Sequence, residues 1–577
     1  MPTAVPTRAV RKIVTVVFCD VTGFTGLGEE LDPESLRAIM ARYFSAVSGV
    51  LQRHGGVVEK FIGDAVLAVF GVPMLHEDDA LRAVRAAAGI LYELDELNDE
   101  LERDAGIRIA VRIGVNTGEV VAGDPATGQT MVTGDAVNVA ARLEQAASPG
   151  EILIGAPTYR LTRDAVDAKA IAPLTLRGKS QELEVFRLIA VHPTTAMLSR
   201  RVDSPLVGRR HELMLLTESF GRSVRERSCH LFTMLGTAGV GKSRLAAEFL
   251  EHSDARVLWG RCLPYGEGIT YYPIEEIVRE AADLRIDTGS DEATTRIASL
   301  FDGQGEQEGR VIAQLLAQAC GIREVTTSSE ESAWAVRRLF EMLARKRPLI
   351  VVIDDLQWAE TSLLDLIEYV ADWTQDAPLL LLCMTRPELL DQRSAWAGGK
   401  LNSTSILLEP LTTTETEKLI ENLLDGGLLD SEAKTLVAAS ADGNPLVAEE
   451  MTAMLLDEGW LRRMKDGWVA SGDLSSVSVP PSIQALLAAR LEQLPEEERK
   501  IIESASVIGK IFWRNALVDL CADSAAVSRG LMSLMRKELI RAERSTFIDD
   551  DAFSFRHMLT RDAAYDSMPK ETRSRQH

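Results

Sequence analysis

The segment EKFIGDAVLAVFG, Glu59–Gly71, decides the fold of the first part of the chain. A Gly-Asp pair at Gly63 and Asp64 stands directly before an apolar run that predicts a buried strand. Around this segment, short β runs alternate with amphipathic helical stretches, notably 33–53 and 77–103. The pattern predicts one α/β domain, and it raises the question of why a lone carboxylate precedes the strand.

Length and composition set the outer limits. A chain of 577 residues is too long for one hydrophobic core, and its 46% hydrophobic and 26% charged residues are typical of a soluble globular protein. The net charge of −23 argues against a nucleic-acid partner, and six scattered cysteines predict neither disulfides nor a metal site. No apolar run is long enough to cross a bilayer and no signal peptide is evident, so we expect a cytoplasmic protein without a membrane partner.

Changes in composition and periodicity divide the chain into six predicted segments. They are a disordered N-terminus at 1–12, a first α/β domain at 13–190, a linker at 191–206, a second α/β domain with a parallel sheet at 207–411, a helical lid domain at 412–480, and a winged-helix-like domain with the start of a truncated helical region at 481–577. The last segment has 15 basic and 15 acidic residues, so no positive field would draw it to nucleic-acid phosphates. The predicted fold class is therefore multidomain α/β.

A second acid, Asp20, ends the apolar strand of VTVVFCDVTGFTGLG and precedes a loop rich in glycine. Carboxylates at strand ends can hold Mg²⁺ while phosphates and water fill its remaining positions, although Gly-Asp turns and Asp N-caps are also common without any ligand. In GDAVNVAARLE, Asn138 and Arg142 are four positions apart on a predicted helix, so both project from one face. An amide for a sugar oxygen and a guanidinium for a phosphate would suit a nucleotide, and a solvated helix face is the alternative.

These motifs resemble the class III nucleotidyl cyclases, the adenylate/guanylate cyclase catalytic domain. The resemblance covers about residues 10–190 and rests on five motifs in the family's order: FCDVTGFT, EKFIGDAVLAVFG, VRIGVNTGEVVAG, GDAVNVAARLE and LRGKSQELEVFRL. It implies a ferredoxin-like α/β domain that converts ATP to cyclic AMP and pyrophosphate with two Mg²⁺ or Mn²⁺ ions per site. It also implies a homodimer, because the family builds each site from two domains and this chain carries the residues of both halves.

The resemblance implies a role for each matching residue. Asp20, Asp64 and the backbone of Val21 would hold the two metals, which is a first answer to the question of the lone carboxylate. The remaining matches would bind the substrate: Lys60 the base, Asn138 the ribose, Arg142 the charge at the α-phosphate, and Arg112 and Arg177 the triphosphate.

One position departs from the family's pattern. Members that select adenine usually place Asp or Thr about seven residues before the ribose asparagine, and this chain has Met131 there. A thioether is only a weak acceptor and cannot replace that polar partner. Weak activity, relaxed choice between ATP and GTP, and use of the neighbouring Thr130 or Thr133 all stay open.

The second α/β domain opens with a phosphate-binding motif. In LGTAGVGKSRL, the pattern G-x-x-x-x-G-K-S directly follows the β run HLFTML and precedes a helical stretch. Its residues would wrap the β-phosphate with backbone N–H groups, reach the β/γ oxygens and hold Mg²⁺: Gly236, Gly239, Gly241, Lys242 and Ser243. The placement favours a Mg-ATP site over a glycine-rich turn without a ligand.

The apolar strand of PLIVVIDDLQWAE ends at Asp354 and Asp355 and resembles a Walker B element. With LVGRRHEL, TRPEL and GNPL, it makes residues 205–577 similar to the AAA-like class of signal-transduction ATPases. The resemblance implies a slow ATPase switch in which Asp354 would hold Mg²⁺ through water and Asp355 would orient the attacking water. It further implies that Arg386 senses the γ-phosphate, and it places Arg209 near the adenine and Pro445 in a lid near the nucleotide.

Together the two resemblances predict an adenylate cyclase that is regulated by a fused P-loop ATPase and by an unidentified protein partner. The alternative is a signalling switch whose cyclase-like domain only binds nucleotide or dimerises, and Met131 favours that interpretation. The presence of every catalytic residue type favours the enzyme. A DNA-binding regulator would need a basic reader, which the sequence does not show.

Overall fold

The structure is a computed structural model of the chain. It describes residues 10–24, 31–122, 132–163, 165–175, 182–192, 205–263, 270–284, 288–301, 306–322, 328–424, 429, 431–457, 459–464, 467–470, 481–521, 523–537, 539–543, 545, 550–556, 558–568 and 570–577. The chain divides into two compact units, one of Met1–Met197 with Ser475–His577 and one of Leu198–Leu474. No helix within the described ranges is long and apolar enough to span a membrane.

The first unit is built on a mixed, mainly antiparallel sheet in the order β2-β3-β1-β4-β6-β10-β7, with β5 paired to β4 and a separate β8–β9 hairpin. Its strands are β1 (Val10–Thr22), β2 (Val57–Ile62), β3 (Ala65–Phe70), β4 (Ala110–Ala122), β5 (Val132–Thr133), β6 (Ile152–Gly155), β7 (Val166–Ala170), β8 (Leu174–Thr175), β9 (Glu182–Leu183) and β10 (Val185–Val191). Its first four helices are α1 (Pro33–Arg53), α2 (Asp79–Ala105), α3 (Asp135–Ala146) and α4 (Ala156–Thr162).

Local chemistry fixes the ends of the two long helices. The side chain of Asp32 accepts hydrogen bonds from the backbone N–H groups of Glu34 and Ser35, both at 3.0 Å, and Pro33 occupies the first position of α1. Gly106, in the left-handed conformation with φ 68°, ends α2. The apolar sides of both helices cover one face of the sheet, which buries the core of this domain.

The predicted disordered N-terminus is wrong for residues 10–12. These residues begin β1, whose register with β4 runs without a break from Val10 opposite Ala122 to Thr22 opposite Ala110. The ladder hydrogen bonds along this stretch, and the buried side chain of Lys12, account for its order.

The last part of the chain completes the first unit. Its elements are α16 (Pro481–Glu492), α17 (Glu496–Ile508), β18 (Ile511–Trp513), α18 (Arg514–Cys521), α19 (Ser524–Arg536), β19 (Ile540–Glu543), β20 (Ala552–Phe555), α20 (Met558–Ser567) and α21 (Lys570–Gln576). The strands form a small antiparallel sheet in the order β18-β20-β19. Within the segment predicted to be winged-helix-like, Gly509 ends α17 and the strand Ile511–Trp513 pairs with β20.

A buried polar cluster joins α16 to the start of β1. Lys12 Nζ lies 2.7 Å from Glu492 Oε1 and donates a 2.6 Å hydrogen bond to the carbonyl oxygen of Pro73. The other carboxylate oxygen, Glu492 Oε2, accepts a 2.8 Å hydrogen bond from the Leu75 backbone N–H. The two charged side chains are only 7% and 14% exposed, so each depends on the other for its electrostatic partner.

The second unit contains five parallel strands in the order β12-β13-β14-β11-β15. Its strands are β11 (Cys229–Leu235), β12 (Arg256–Arg261), β13 (Leu349–Asp354), β14 (Leu379–Thr385), β15 (Ser403–Leu407), β16 (Leu461–Met464) and β17 (Gly467–Ala470). Its helices are α5 (Arg210–Glu226), α6 (Lys242–Glu251), α7 (Tyr272–Ala281), α8 (Ser290–Ser299), α9 (Glu306–Ala319), α10 (Ser329–Lys346), α11 (Thr361–Trp373), α12 (Leu389–Gln392), α13 (Thr413–Leu423), α14 (Ser431–Ala441) and α15 (Pro445–Asp457).

The predicted parallel sheet of this unit is confirmed, and its central strands β11 and β14 are mainly apolar and buried along their whole length. The segment 412–480 was predicted to be helical, but the structure also contains two strands there. After α15, β16 and β17 pair as an antiparallel hairpin, and Trp468 Nε1 donates a hydrogen bond to the Leu424 carbonyl oxygen at 3.3 Å. The other predicted segment boundaries stay predictions.

Candidate functional site

Asp20 and Asp64 lie at the same edge of the first sheet. β1 and β3 are antiparallel neighbours with Cys19 opposite Val66, so the end of β1 meets the β2–β3 turn that carries Asp64. Burial raises the pKa of Asp64, and the negative charge of Asp20 raises it further. Asp20 at the strand end and Asp64 in the turn, which are far apart in sequence, thus form one acidic pair.

Arg112 and Glu144 complete this acidic edge. Arg112 stands opposite Asp20 in the ladder, and its Nη2 donates a 2.8 Å hydrogen bond to Asp20 Oδ2. Its Nε lies 2.5 Å from Glu144 Oε1. Burial raises the pKa of Glu144 to about 7; the positive charge of Arg112 opposes that shift and Asp20 adds to it. One guanidinium is therefore held between two carboxylates.

Gly114 allows Glu144 to reach this position. A Cβ at Gly114 would lie 2.3 Å from both the Ala140 carbonyl oxygen and the Glu144 backbone nitrogen. Only a glycine therefore lets α3 pack with its backbone directly against β4, two residues beyond Arg112. The close approach brings the buried carboxylate of α3 to the strand that carries the arginine.

The remaining candidate residues of this domain lie on other surfaces of the same elements. Asn138 and Arg142 occupy one face of α3, as their spacing predicts, and Asn138 is exposed. Lys60 is exposed on β2, beside a bulge in the β2–β3 pairing. Met131 and Arg177 fall outside the described residues.

The acidic edge suits a hard divalent cation. Asp20 and Asp64 offer carboxylate oxygens, which Mg²⁺ and Mn²⁺ prefer, and their mutual repulsion would be relieved by a bound cation. In the described part of the chain no group of three or more metal-ligating side chains converges. Two carboxylates are enough for Mg²⁺, which commonly takes one or two from the protein and the rest from phosphates and water.

The second unit has a phosphate-binding loop between β11 and α6. Gly239 and Gly241 adopt positive φ values of 75° and 102°, which turn the chain sharply before α6 begins at Lys242. Lys242 Nζ donates hydrogen bonds to the carbonyl oxygens of Gly236 at 2.7 Å and Thr237 at 3.1 Å. The predicted loop residues, Ser243 included, are contiguous with the N-terminus of a helix, where anions are favoured.

The predicted Walker B acids lie at the end of β13, where Asp354 is the last residue of the strand and Asp355 follows it. The Asp355 backbone N–H donates to Asp354 Oδ1 at 2.8 Å, and Arg261 contacts Asp355 Oδ2 through Nε at 2.8 Å and Nη2 at 2.7 Å. Burial and the charge of Asp355 raise the pKa of Asp354. For Asp355 the effect of burial is outweighed by the charge of Arg261 and the Gln357 hydrogen bond, so its pKa is lowered.

Two further predicted residues contact the phosphate-binding loop. The buried Arg209 donates through Nη2 to the carbonyl oxygens of Val240 at 3.2 Å and Glu409 at 2.6 Å. Directly before α15, Asn444 Nδ2 donates to the Ala238 carbonyl oxygen at 2.9 Å. Pro445 follows Asn444 and lies beside Gly241, so both segments lie at the loop.

Sequence reasoning missed three side chains at these sites: Glu144, Arg261 and Gln357. A signal existed for Glu144, which follows Arg142 by two residues in the same motif, and for Gln357, which follows the Walker B acids in DDLQW. Arg261 had no local signal, because it reaches Asp355 only through the pairing of β12 with β13.

Comparison with known proteins matches two parts of the chain to two families. Residues 8–190 match the model of the adenylate and guanylate cyclase catalytic domain, and residues 205–382 match that of the AAA ATPase domain. An uncharacterised protein of Rhizobium meliloti (strain 1021) is 25% identical over 98% of this chain and 55% of its own length. Adenylate cyclase 1 of the same organism is 29% identical over 31% of this chain and 28% of its own length.

A crystal structure of the adenylyl cyclase CyaB from P. aeruginosa is 30% identical, covering 32% of this chain and 97% of that chain, with a TM-score of 0.31. This chain spans about half, or less, of the length of the two curated relatives. The family matches cover the acidic edge in one case and the phosphate-binding loop in the other. The chain therefore carries an adenylate and guanylate cyclase catalytic domain followed by an AAA ATPase domain.

Proposed function

We propose that the chain is an adenylate cyclase that converts ATP to cyclic AMP and pyrophosphate, controlled by its ATPase module. The observation that carries the proposal is the convergence of Asp20 and Asp64 at one edge of the sheet, with Arg112 held beside them. This arrangement offers two carboxylates for cations and one guanidinium for phosphate oxygens. The relatives named adenylate cyclase share the domain that contains it.

The chain's own residues would act in sequence along the substrate. Arg112 would bind the triphosphate, Asn138 would orient the ribose so that its 3′-hydroxyl faces the α-phosphorus, and Arg142 would stabilise the charge that develops there. Bound Mg²⁺ or Mn²⁺, two per site, would activate the hydroxyl and neutralise the departing pyrophosphate. Asp20, Asp64 and the backbone carbonyl of Val21 would hold these ions.

The site would form between two copies of the chain. Lys60 and Asn138 are exposed on β2 and α3, available to substrate held at the acidic edge of a partner. A homodimer would pair each acidic edge with the other copy's Lys60, Asn138 and Arg142, which gives two equivalent sites. Recognition of the base would fall to Lys60, with Met131 weakening the choice of adenine.

The ATPase module would bind Mg-ATP at the loop from Gly236 to Ser243. Asp354 would hold the ion, Asp355 would orient the attacking water, and Arg386 would contact the γ-phosphate. The hydrogen bond from Asn444 in the proposed lid to Ala238 in the loop supports a role in signalling, because a change in the conformation of the loop would displace the lid residue bonded to it. An unidentified protein would supply the stimulus, and the cytoplasm, where ATP is plentiful, is the proposed location.

The test incubates the purified chain with ATP or GTP and Mg²⁺ or Mn²⁺, then separates cyclic nucleotide from nucleoside diphosphate. We expect cyclic AMP from wild type and none from Asp20→Ala or Asp64→Ala. Asp104→Ala, which removes an exposed acid at the end of α2, serves as the matched control and should retain activity. Cyclic product that persists in both site variants would refute the two-metal site; diphosphate alone, lost in Lys242→Ala, would favour the ATPase switch with a cyclase domain that only binds nucleotide.

A further inference from the structure

Three adjacent strands of the second unit end in a connected set of polar side chains. Arg261 ends β12, Asp355 follows β13, and Arg386 follows β14. Because these strands are parallel neighbours, their carboxyl ends meet at one edge of the sheet, beside the phosphate-binding loop. Gln357, in the short 3-10 turn Leu356–Trp358, lies between them and is 5% exposed.

Both oxygens of the Asp355 carboxylate have partners. Arg261 donates to Oδ2 through Nε at 2.8 Å and approaches the same oxygen with Nη2 at 2.7 Å. Gln357 Nε2 donates to Oδ1 at 2.9 Å. The orientation of this acid is therefore set from both sides, by a charged group on one strand and by a neutral amide on the following turn.

The backbone of Asp355 also requires support. Its φ of 54° and ψ of 38° lie in the left-handed region, which is unfavourable for a residue other than glycine. Such a conformation persists where surrounding contacts hold it in place. The Asp355 N–H donates to Asp354 Oδ1, its carbonyl oxygen accepts from the Trp358 N–H at 3.0 Å, and its carboxylate has the two side-chain partners.

Gln357 connects Asp355 to the end of β14. Its Oε1 accepts a 3.2 Å hydrogen bond from the Arg386 backbone N–H, while its Nε2 donates to Asp355. The assignment of the two amide atoms is fixed, because a backbone N–H can only donate and an ionised carboxylate can only accept. A side chain that both donates and accepts is needed here, which excludes leucine and disfavours glutamate beside the carboxylate.

We propose that Gln357 is a positioning residue for ATP hydrolysis, which sets the Asp355 carboxylate according to the position of the strand end that carries Arg386. This inference rests on the proposed ATPase activity. In that reaction a water oxygen bonds to the γ-phosphorus as the bond to the β–γ bridging oxygen breaks. The proton that the water gives up to Asp355 leaves with the products, which are ADP and inorganic phosphate.

Gln357 would link Arg386, which contacts the γ-phosphate in the proposed ATPase, to the Asp355 carboxylate. A contact between Arg386 and the γ-phosphate that shifts the end of β14 would move the Arg386 backbone N–H, which donates to Gln357 Oε1. Gln357 would then rotate the Asp355 carboxylate relative to Arg261, its other hydrogen-bond partner. ATP binding itself depends on the phosphate-binding loop and does not require this route.

The experiment measures phosphate release and fluorescent ATP-analogue binding by the full chain and four variants. They are Gln357→Leu, Asp355→Asn, the double variant Gln357→Leu/Asp355→Asn, and Gln375→Leu as a matched control. Gln375 has an exposed side chain in the same unit, so the control carries the same substitution away from the site. Lys242→Ala gives the background rate of phosphate release.

We expect kcat to fall at least about tenfold in Gln357→Leu, with analogue affinity within about twofold of wild type, because only the orientation of the acid is lost. The double variant should match Asp355→Asn, since a residue that acts through Asp355 adds nothing once that acid is gone. Wild-type kcat in Gln357→Leu, a matching loss of analogue affinity, or a further loss in the double variant would each overturn the inference. Phosphate release by wild type no faster than by Lys242→Ala would refute the ATPase activity itself, and the inference with it.

Discussion

Replacing Lys12 with methionine should release the C-terminal segment from β1. Lys12 and Glu492 form a buried pair at 2.7 Å, and their side chains are 7% and 14% exposed. Methionine keeps most of the length and apolar stem of lysine but removes the ammonium group. Glu492 would then keep one partner, the Leu75 N–H, for a charge that is largely removed from water.

The expected cost follows from the kind of pair that is broken. Removing one partner of a buried ion pair typically destabilises by about 3–5 kcal/mol, because the other charge stays behind unpaired. At the lower figure, local opening around the cluster becomes about 150-fold more frequent, since each 1.4 kcal/mol is about a factor of ten. Replacing both partners, Lys12→Met with Glu492→Gln, should recover much of the loss, because no unpaired charge remains.

Hydrogen exchange followed by mass spectrometry measures this opening peptide by peptide. We expect faster exchange in peptides that contain Leu75 and α16 in Lys12→Met, and a smaller change in the double variant. Arg11→Met is the matched control: its partner Glu119 is 54% exposed and Arg11 itself 37%, so its surface pair is worth less than about 1 kcal/mol. Exchange in Lys12→Met within about twofold of wild type would refute the reasoning, because a buried charge would then be tolerated unpaired.

Three further outcomes are expected. Glu144→Ala leaves Arg112 with Asp20 alone, so the Mn²⁺ concentration for half-maximal cyclase activity should rise at least about threefold; an unchanged value would contradict competition at Asp20. Burial and nearby arginines lower the pKa of His54 to about 4, below its value of about 6.5 in an unfolded chain. Stability from the neutral ring is therefore present above pH 6.5 and lost on acidification, about 2 kcal/mol by pH 5, and urea unfolding of His54→Gln should lack this loss. Gly114→Ala places a Cβ 2.3 Å from the backbone of α3, so we expect a loss of about 1–3 kcal/mol in the same unfolding assay, and an unchanged midpoint would contradict the close packing.

Structural features that depend only on neighbouring residues could be predicted from the sequence. The helical stretch predicted at 33–53 coincides with α1, whose start is fixed by the Asp32 cap, and such a cap depends only on adjacent residues. The buried strand predicted directly after Asp64 is observed at Ala65–Phe70, since a wholly apolar run between turns has few alternatives. The apolar strand that ends at Asp354 was found for the same reason, and the loop before Lys242 was found because its glycine spacing is a local motif.

Features that depend on residues far away in the sequence could not be predicted. Strand β4 extends over Ala110–Ala122, because pairing with β1 carries the polar stretch within VRIGVNTGEVVAG into the sheet. Leu75 and Glu492 are 417 positions apart, and no local pattern announces their hydrogen bond. Arg261 likewise reaches Asp355 only because β12 and β13 are neighbours in the sheet.

The continuous ladder of β1 has a thermodynamic consequence for the whole first unit. Lys12 and Asp20 lie eight residues apart on this strand, a span of about 27 Å, and every residue between them is in register with β4. If a cation bound at the acidic edge changes the free energy with which α16 packs at Lys12, thermodynamic linkage requires that the packing of α16 changes the free energy of cation binding by the same amount. A ligand or partner that weakens the attachment of the C-terminal segment would then change the affinity for the cation. The cation would change the attachment of that segment by the same factor, so a measurement of either equilibrium would report on the other.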